Sequence, residues 1–205
     1  MGEGLTTTRR ALAAAALLLF TAGHSAAGAA TFKGAFFPDA VPIGGRECRL
    51  NGVGVRTRLL VKVYLGALYM ATPSREAVPA IAADEPKRFV LHFLYPRVEP
   101  EKGRTAFLDG LRDNAGDALP LLQERIDRML SWIDEDAHAG DEIVLTYVPG
   151  TGTEVEAMGR VRGVIEGADF MRALWSIWLG PHPADSNLKK RLLGAPRAPG
   201  RRPYE

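Results

Sequence analysis

The sequence has little of what disulfide, metal and nucleic-acid sites require. Its 205 residues include one cysteine, Cys48, which excludes an internal disulfide and a cysteine-based metal site. The formal net charge of +2 is too small to indicate a nucleic-acid partner. The histidines lie far apart, and no two have the spacing of a metal-ligand pair: His24, His92, His138 and His182. We therefore expect no metal, no cofactor and no nucleic acid.

An apolar segment near the N-terminus predicts export rather than a membrane span. Residues 11–22 are hydrophobic but too few to cross a bilayer, and an arginine pair precedes them. The small-residue sequence Ala27-Gly28-Ala29 then resembles a cleavage site. Residues 1–30 are therefore predicted to be a signal peptide, and the mature protein to be periplasmic or secreted without a membrane span. An uncleaved anchor is the alternative, and either the general or the twin-arginine export route fits.

The remaining chain has the composition of one globular domain. Hydrophobic residues make up 46% of the whole sequence and charged residues 24%. We predict a single domain over residues 31–194. Residues 195–205 are rich in proline and arginine, so they are predicted to be a disordered tail.

The least polar stretch of that domain runs over residues 50–70. It contains the glycines Gly52 and Gly54, then Arg56, and then an apolar run over residues 59–70. Apolar side chains occupy both odd and even positions of this run, which predicts a strand covered on both faces. Tyr64 lies on one of these faces, and an arginine one strand away could hold a carboxylate in an apolar pocket.

The other segments alternate between strand and helix patterns. A hairpin is expected to turn at Gly44-Gly45, and three further strands follow residue 141. Helix N-caps are predicted at four polar residues: Ser74, Asp117, Asp169 and Asp185. The order of strands, helices, strands and helices predicts an α+β fold, with helices packed on a face of one antiparallel sheet.

Two linked motifs carry a resemblance to a known family. Gly-Val-Gly-Val-Arg at residues 52–56, followed by Val-Lys-Val-Tyr-Leu-Gly-Ala-Leu-Tyr at 61–69, resembles the chalcone-isomerase-like superfamily. The similarity is to its bacterial exported members and its plant fatty-acid-binding branch, and it continues through residues 88–95, 140–150 and 174–193. It implies a large curved antiparallel β-sheet with a layer of α-helices, and a ligand cleft between the two.

The resemblance also implies roles for individual residues. Arg56 matches the arginine that contacts the substrate in plant chalcone isomerases, but Tyr64 stands where those enzymes have a threonine. Lys102 and Asp109 stand near their tyrosine and asparagine, and Ile177 or its neighbour Ser176 near a Thr or Ser. The fatty-acid-binding branch instead holds a carboxylate with an arginine and a tyrosine on these strands, and Arg56 and Tyr64 match that pair.

These residues favour a non-catalytic protein that binds a small amphipathic carboxylate, such as a fatty acid, through Arg56 and Tyr64. One alternative is an intramolecular lyase or isomerase that acts on an enone-like substrate through Arg56. Another is an interaction module with an empty cleft, in which Arg56 forms a structural salt bridge and Tyr64 is a core residue. Arg58 and Lys62 lie close to Arg56 in sequence and could bind the carboxylate in its place. Lys62 is expected to lie on the same face of the strand as Tyr64. The sequence does not indicate a protein partner.

Overall fold

A large curved antiparallel sheet is the centre of the fold. The computed structural model describes residues 29–32 and 34–194. Seven strands form this sheet in the order β11-β10-β9-β6-β5-β4-β3, and every neighbouring pair is antiparallel. The strands are β1 (Ala29–Phe32), β2 (Ala35–Pro38), β3 (Ala40–Ile43), β4 (Arg46–Arg58), β5 (Val61–Met70), β6 (Lys87–Phe93), β7 (Arg97–Val98), β8 (Ala137–His138), β9 (Glu142–Val148), β10 (Gly152–Ala157) and β11 (Arg160–Ile165). The α+β prediction is confirmed.

The helices form the main hydrophobic core on one face of this sheet. They are α1 (Ala77–Ala82), α2 (Pro100–Ala115), α3 (Leu119–Ser131), α4 (Ala168–Leu179) and α5 (Ser186–Leu192). Side chains of β5 alternate as a strand requires: Tyr64, Leu68 and Met70 join the helical core. Leu65 and Ala67 point to the opposite face and pack with residues of the β1–β2 hairpin and with Cys48. The strand is therefore covered on both faces, as its sequence predicts.

The two glycines of β4 allow helix α5 to lie directly against the sheet. A Cβ atom at Gly52 would stand 2.1 Å from the carbonyl oxygen of Arg191, and one at Gly54 would stand 2.9 Å from Leu188 Cδ1. The neighbouring Asn51 is buried and donates from Nδ2 to the carbonyl oxygen of Leu192 at 2.7 Å. Close backbone packing, rather than ligand contact, therefore explains the glycine pair.

The strand predicted over residues 59–70 begins two residues later than expected. Leu59 and Leu60 form the tight turn between β4 and β5, with φ values of 47° and 68°. A β-bulge follows, because Arg56 pairs with Tyr64 whereas Thr57 pairs with Lys62. The additional residue shifts the alternation of the strand before Tyr64.

The predicted helix caps are correct at one of four positions. Asp185 accepts hydrogen bonds from the backbone N–H groups of Asn187 and Leu188, as expected of an N-cap. The N-caps of the three other helices have no side-chain hydrogen bond, and they are Glu76, Ala118 and Gly167. Those helices start one or two residues away from the predicted starts, so Ser74, Asp117 and Asp169 are not caps. In the part of the chain that the structure describes, no helix is long and apolar enough to span a membrane.

Candidate ligand-binding cleft

A cleft of about 410 Å³ opens between the sheet and helices α2 and α4. Its volume falls in the range of about 300–1,000 Å³ that is typical of small-molecule sites. Most of the side chains that line it are apolar or aromatic: Leu59, Val61, Val63, Leu91, Phe93, Tyr95, Val98, Ala106, Phe107, Ile177, Trp178 and Ala184. Its polar lining comes from Arg56, Arg58, Tyr64, Arg97 and Lys102. The cleft can therefore take a largely apolar molecule that carries a negative group.

Tyr64 is a buried lining residue with a fixed orientation. Its hydroxyl oxygen accepts a hydrogen bond of 2.7 Å from Trp178 Nε1. The indole ring of Trp178 is itself held by stacking on Phe89, with ring centroids 4.0 Å apart, and by an edge contact with Phe107. Burial raises the pKa of the Tyr64 phenol, although the nearby Arg56 opposes that shift. The phenol is therefore neutral near pH 7, and its O–H can donate to a ligand.

Arg56 lies directly opposite Tyr64 in the register of β4 and β5. The Cζ atom of Arg56 is 5.5 Å from the centroid of the Tyr64 ring, the distance of a cation–π contact. Its Nε atom is buried and has no hydrogen-bond partner among the described residues. A buried guanidinium N–H without an acceptor is costly. Arg56 also lines the cleft, so its guanidinium group lies where a ligand that enters the cleft can reach it.

An acidic side chain near Arg56 is engaged elsewhere. Asp185 accepts from the backbone N–H groups of Thr57, at 2.9 Å, and of Asn187 and Leu188. These contacts fix the start of α5 against β4. Arg56 forms no ion pair with a described residue, so the salt bridge expected of a purely structural arginine is not seen in that part of the chain.

The other cations at the cleft differ in how they are paired. Arg97 donates to Asp136 at 2.7 Å, and Lys102 lies 3.1 Å from Glu99. Arg58 has no ion-pair partner among the described residues. Arg56 is half-buried, whereas Arg58, Arg97 and Lys102 are exposed near the mouth. Arg56 is therefore the cation placed to meet a charge inside the cleft.

Of the remaining predicted residues, some line the cleft and others do not. Lys62 does not line the cleft, because the bulge before Tyr64 turns its side chain away, so the prediction that it shares the Tyr64 face is wrong. Asp109 also lies outside the lining; it is exposed and pairs with Arg112. Ser176 is buried and donates to the carbonyl oxygen of Ala173, whereas its neighbour Ile177 lines the cleft.

Sequence reasoning missed the role of Trp178. The pattern of α4 indicates only that this residue is buried. A buried indole N–H usually donates to an acceptor. From this rule alone, Trp178 could have been expected to donate to a polar group of the cleft.

No metal site competes with this assignment in residues 29–32 and 34–194, where no three His, Cys, Asp or Glu side chains cluster to hold an ion. His92 Nδ1 lies 2.9 Å from Glu142 Oε1, a carboxylate oxygen that accepts its hydrogen bond, and His92 is not part of the cleft lining.

Comparison with known proteins agrees with the fold. The crystal structure of a fatty-acid binding protein from Arabidopsis thaliana has a similar fold, with a TM-score of 0.65 and 20% sequence identity. The match covers 81% of this chain and 96% of the plant chain. No curated protein sequence matches the chain. The model of the chalcone isomerase-like family matches residues 29–194, so the chain belongs to the chalcone isomerase-like family.

Proposed function

We propose that this protein binds a small amphipathic carboxylate, such as a fatty acid, and that it does so without catalysis. The observation that carries the proposal is that Arg56, which has no ion pair among the described residues, lines a mostly apolar cleft. An arginine suits a carboxylate because its planar group stays charged and can meet both oxygens. Tyr64, oriented by Trp178, would add one neutral hydrogen bond.

The apolar lining would hold the rest of the ligand. Each methylene group that leaves water for such a surface contributes about 0.8 kcal/mol. Phe93, Phe107 and Ile177 offer such a surface between the sheet and the two helices. The description of the Arabidopsis protein as fatty-acid binding supports the same ligand class for this chain.

The rival function is an intramolecular lyase or isomerase acting on an enone-like compound through Arg56. Two positions argue against it. Asp109 lies outside the cleft, and Ile177 offers no polar atom where the enzymes have a hydroxyl. The comparisons give no support to an isomerase activity. An arginine can stabilise an oxyanion but does not by itself provide proton transfer.

We further propose that the protein acts outside the cytoplasm. Residues 1–28 lie outside the described residues, so this proposal depends on the sequence pattern alone. The intact mass of the protein from its native cell envelope should correspond to a chain that starts near Thr31. A full-length product in the cytoplasm would contradict it.

Titration calorimetry with a long-chain fatty acid tests the binding pair. Arg56→Ala should weaken binding by about 2–5 kcal/mol, because a desolvated carboxylate is left without its partner. Tyr64→Phe should weaken it by about 0.5–1.5 kcal/mol, the usual net value of a neutral hydrogen bond. Arg49→Ala is the matched control, since Arg49 is an exposed arginine of the same strand and lies outside the cleft.

Folding must be measured beside binding. Tyr64→Phe leaves Trp178 Nε1 without its acceptor, which should lower the free energy of unfolding by about 1–3 kcal/mol. Arg56→Ala should not unfold the protein, because Arg56 has no ion pair to lose among the described residues. Unchanged affinity in a folded Arg56→Ala protein, or collapse of that variant, would show that Arg56 is not the ligand's partner.

A further inference from the structure

The loop between β4 and β5 presents apolar side chains to solvent. Its residues 58–62, called the hairpin tip below, include Leu59 and Leu60, whose exposed fractions are 90% and 96%. Val61 is 42% exposed. Because β4 and β5 pair as far as Arg58 and Val61, the two leucines stand at the very end of the hairpin. Exposed neighbouring leucines of this kind mark contact sites more often than random surface.

The backbone of the tip makes these leucines more unusual. Both have positive φ, which favours glycine or asparagine in a two-residue hairpin turn. Two other tight turns of the sheet have similar positive φ values: Gly44-Gly45 follows that preference at both positions, and Met158-Gly159 follows it at the second position only. Only the turn at the cleft, among these three, uses two leucines. Two leucines in this backbone conformation are costly, which raises the question of what their exposed side chains contact.

Free positive charge flanks the leucines. Arg58 and Lys62 are exposed, and neither forms an ion pair with a residue that the structure describes. At the same mouth, Arg97 and Lys102 are paired with acidic side chains. An apolar tip between two unpaired cations matches the interface of a bilayer with anionic headgroups, where leucines enter the acyl boundary and cations meet phosphates.

A protein partner fits this tip less well. A stable protein interface buries about 800 Å² on each partner, which is far more than two leucine side chains supply. The tip is a two-residue turn whose leucine side chains are almost fully exposed, a size that suits insertion into a lipid interface.

We propose that the hairpin tip docks on an anionic lipid surface and holds the mouth of the cleft against it. Leu59, Val61 and Arg58 line the cleft as well as forming the tip. A fatty acid or similar lipid could then pass between bilayer and cleft without crossing bulk water. This last step rests on the proposed function, whereas the docking itself does not.

Vesicle flotation tests the docking with ligand-free protein. The vesicles contain phosphatidylcholine with phosphatidylglycerol, or phosphatidylcholine alone. Leu60→Gly suits the backbone of the turn and removes one exposed leucine, so binding to mixed vesicles should fall at least about tenfold. Lys62→Gln should reduce it about fivefold, on the anionic vesicles only. Leu121→Gln and Lys190→Gln are matched controls at exposed positions elsewhere, and both should float like the wild type.

A second measurement reports on the tip alone, whatever the N-terminal residues contribute. The wild type already emits from Trp132, Trp175 and Trp178, so its spectrum is subtracted from that of each variant. In Leu60→Trp, the added tryptophan emission should shift to shorter wavelength on mixed vesicles and be quenched by brominated lipid. In Leu121→Trp it should do neither. Equal flotation of Leu60→Gly and wild type, or an unquenched Leu60→Trp, would overturn the docking. Self-association that Leu60→Gly abolishes would also overturn it, in favour of a second copy of this chain.

Fatty-acid titration in solution separates the two proposals. Leu60 and Lys62 do not line the cleft, so Leu60→Gly should bind a soluble fatty acid as the wild type does. Flotation without any fatty-acid binding would reject the ligand and leave the docking in place. Fatty-acid binding without flotation would reject the docking and leave the proposed ligand in place.

Discussion

Replacing Leu59-Leu60 by Asn-Gly should make the protein more stable. Left-handed backbone costs a leucine about 1–2 kcal/mol, and both residues adopt it. Their side chains are 90% and 96% exposed, so almost no burial is lost with them. Glycine restores about 0.5–1 kcal/mol of chain entropy to the unfolded state, which offsets part of the gain. The net increase in the free energy of unfolding should be about 1–3 kcal/mol.

Urea denaturation measures this change directly. The midpoint should rise with an unchanged slope, since the surface exposed on unfolding is nearly the same. Gly45→Leu is the matched reverse experiment, because Gly45 has positive φ and open space around its Cβ position. It should lose about 1–2 kcal/mol. An Asn-Gly variant that is no more stable than the wild type would refute the argument that the tip is strained.

Two further predictions concern the rest of the fold. Gly52→Ala should lower the free energy of unfolding by about 1–3 kcal/mol, because the added Cβ atom would collide with the backbone of Arg191. Amide exchange in α5 should become faster, and an unchanged urea midpoint would contradict this prediction. Burial lowers the pKa of Lys87 to about 8 from 10.5, so between these values the unfolded chain binds more protons and stability should rise with pH. Urea titrations up to about pH 9 should show this rise in the wild type and not in Lys87→Met. At higher pH the thiol of Cys48 and the phenols of Tyr64, Tyr69 and Tyr147, whose pKa values burial raises, act in the opposite direction.

Periodicity predicted the sheet well where burial controls the sequence. The alternation of β5 and the turn at Gly44-Gly45 are both seen. The start of β5 was wrong because leucine is a strand-compatible residue, and the usual turn signal of glycine or asparagine is absent at residues 59 and 60. Three caps were wrong because polar residues such as Ser74 and Asp117 make local turns as readily as helix starts.

The site could be predicted in part. The sequence places Arg56 and Tyr64 on different strands, but it does not predict that they lie directly opposite each other. With Arg58 opposite Val61, regular pairing would place Arg56 opposite Val63, and only the β-bulge brings it opposite Tyr64. The bulge that turns Lys62 away has no sequence signature here, and it decides which cation enters the cleft. The hydrogen bond from Trp178 joins residues far apart in sequence, so only the tertiary fold reveals it.

If Arg56 binds a carboxylate in the cleft, a fatty acid and its methyl ester should respond differently to the loss of this arginine. Calorimetry would measure both ligands against the wild type and Arg56→Ala. The acid should lose about 2–5 kcal/mol of binding in the variant, while the ester should bind both proteins weakly and equally. This is the result expected if Arg56 is the partner of the carboxylate. Equal losses for acid and ester, or an ester that binds the wild type as tightly as the acid, would contradict it.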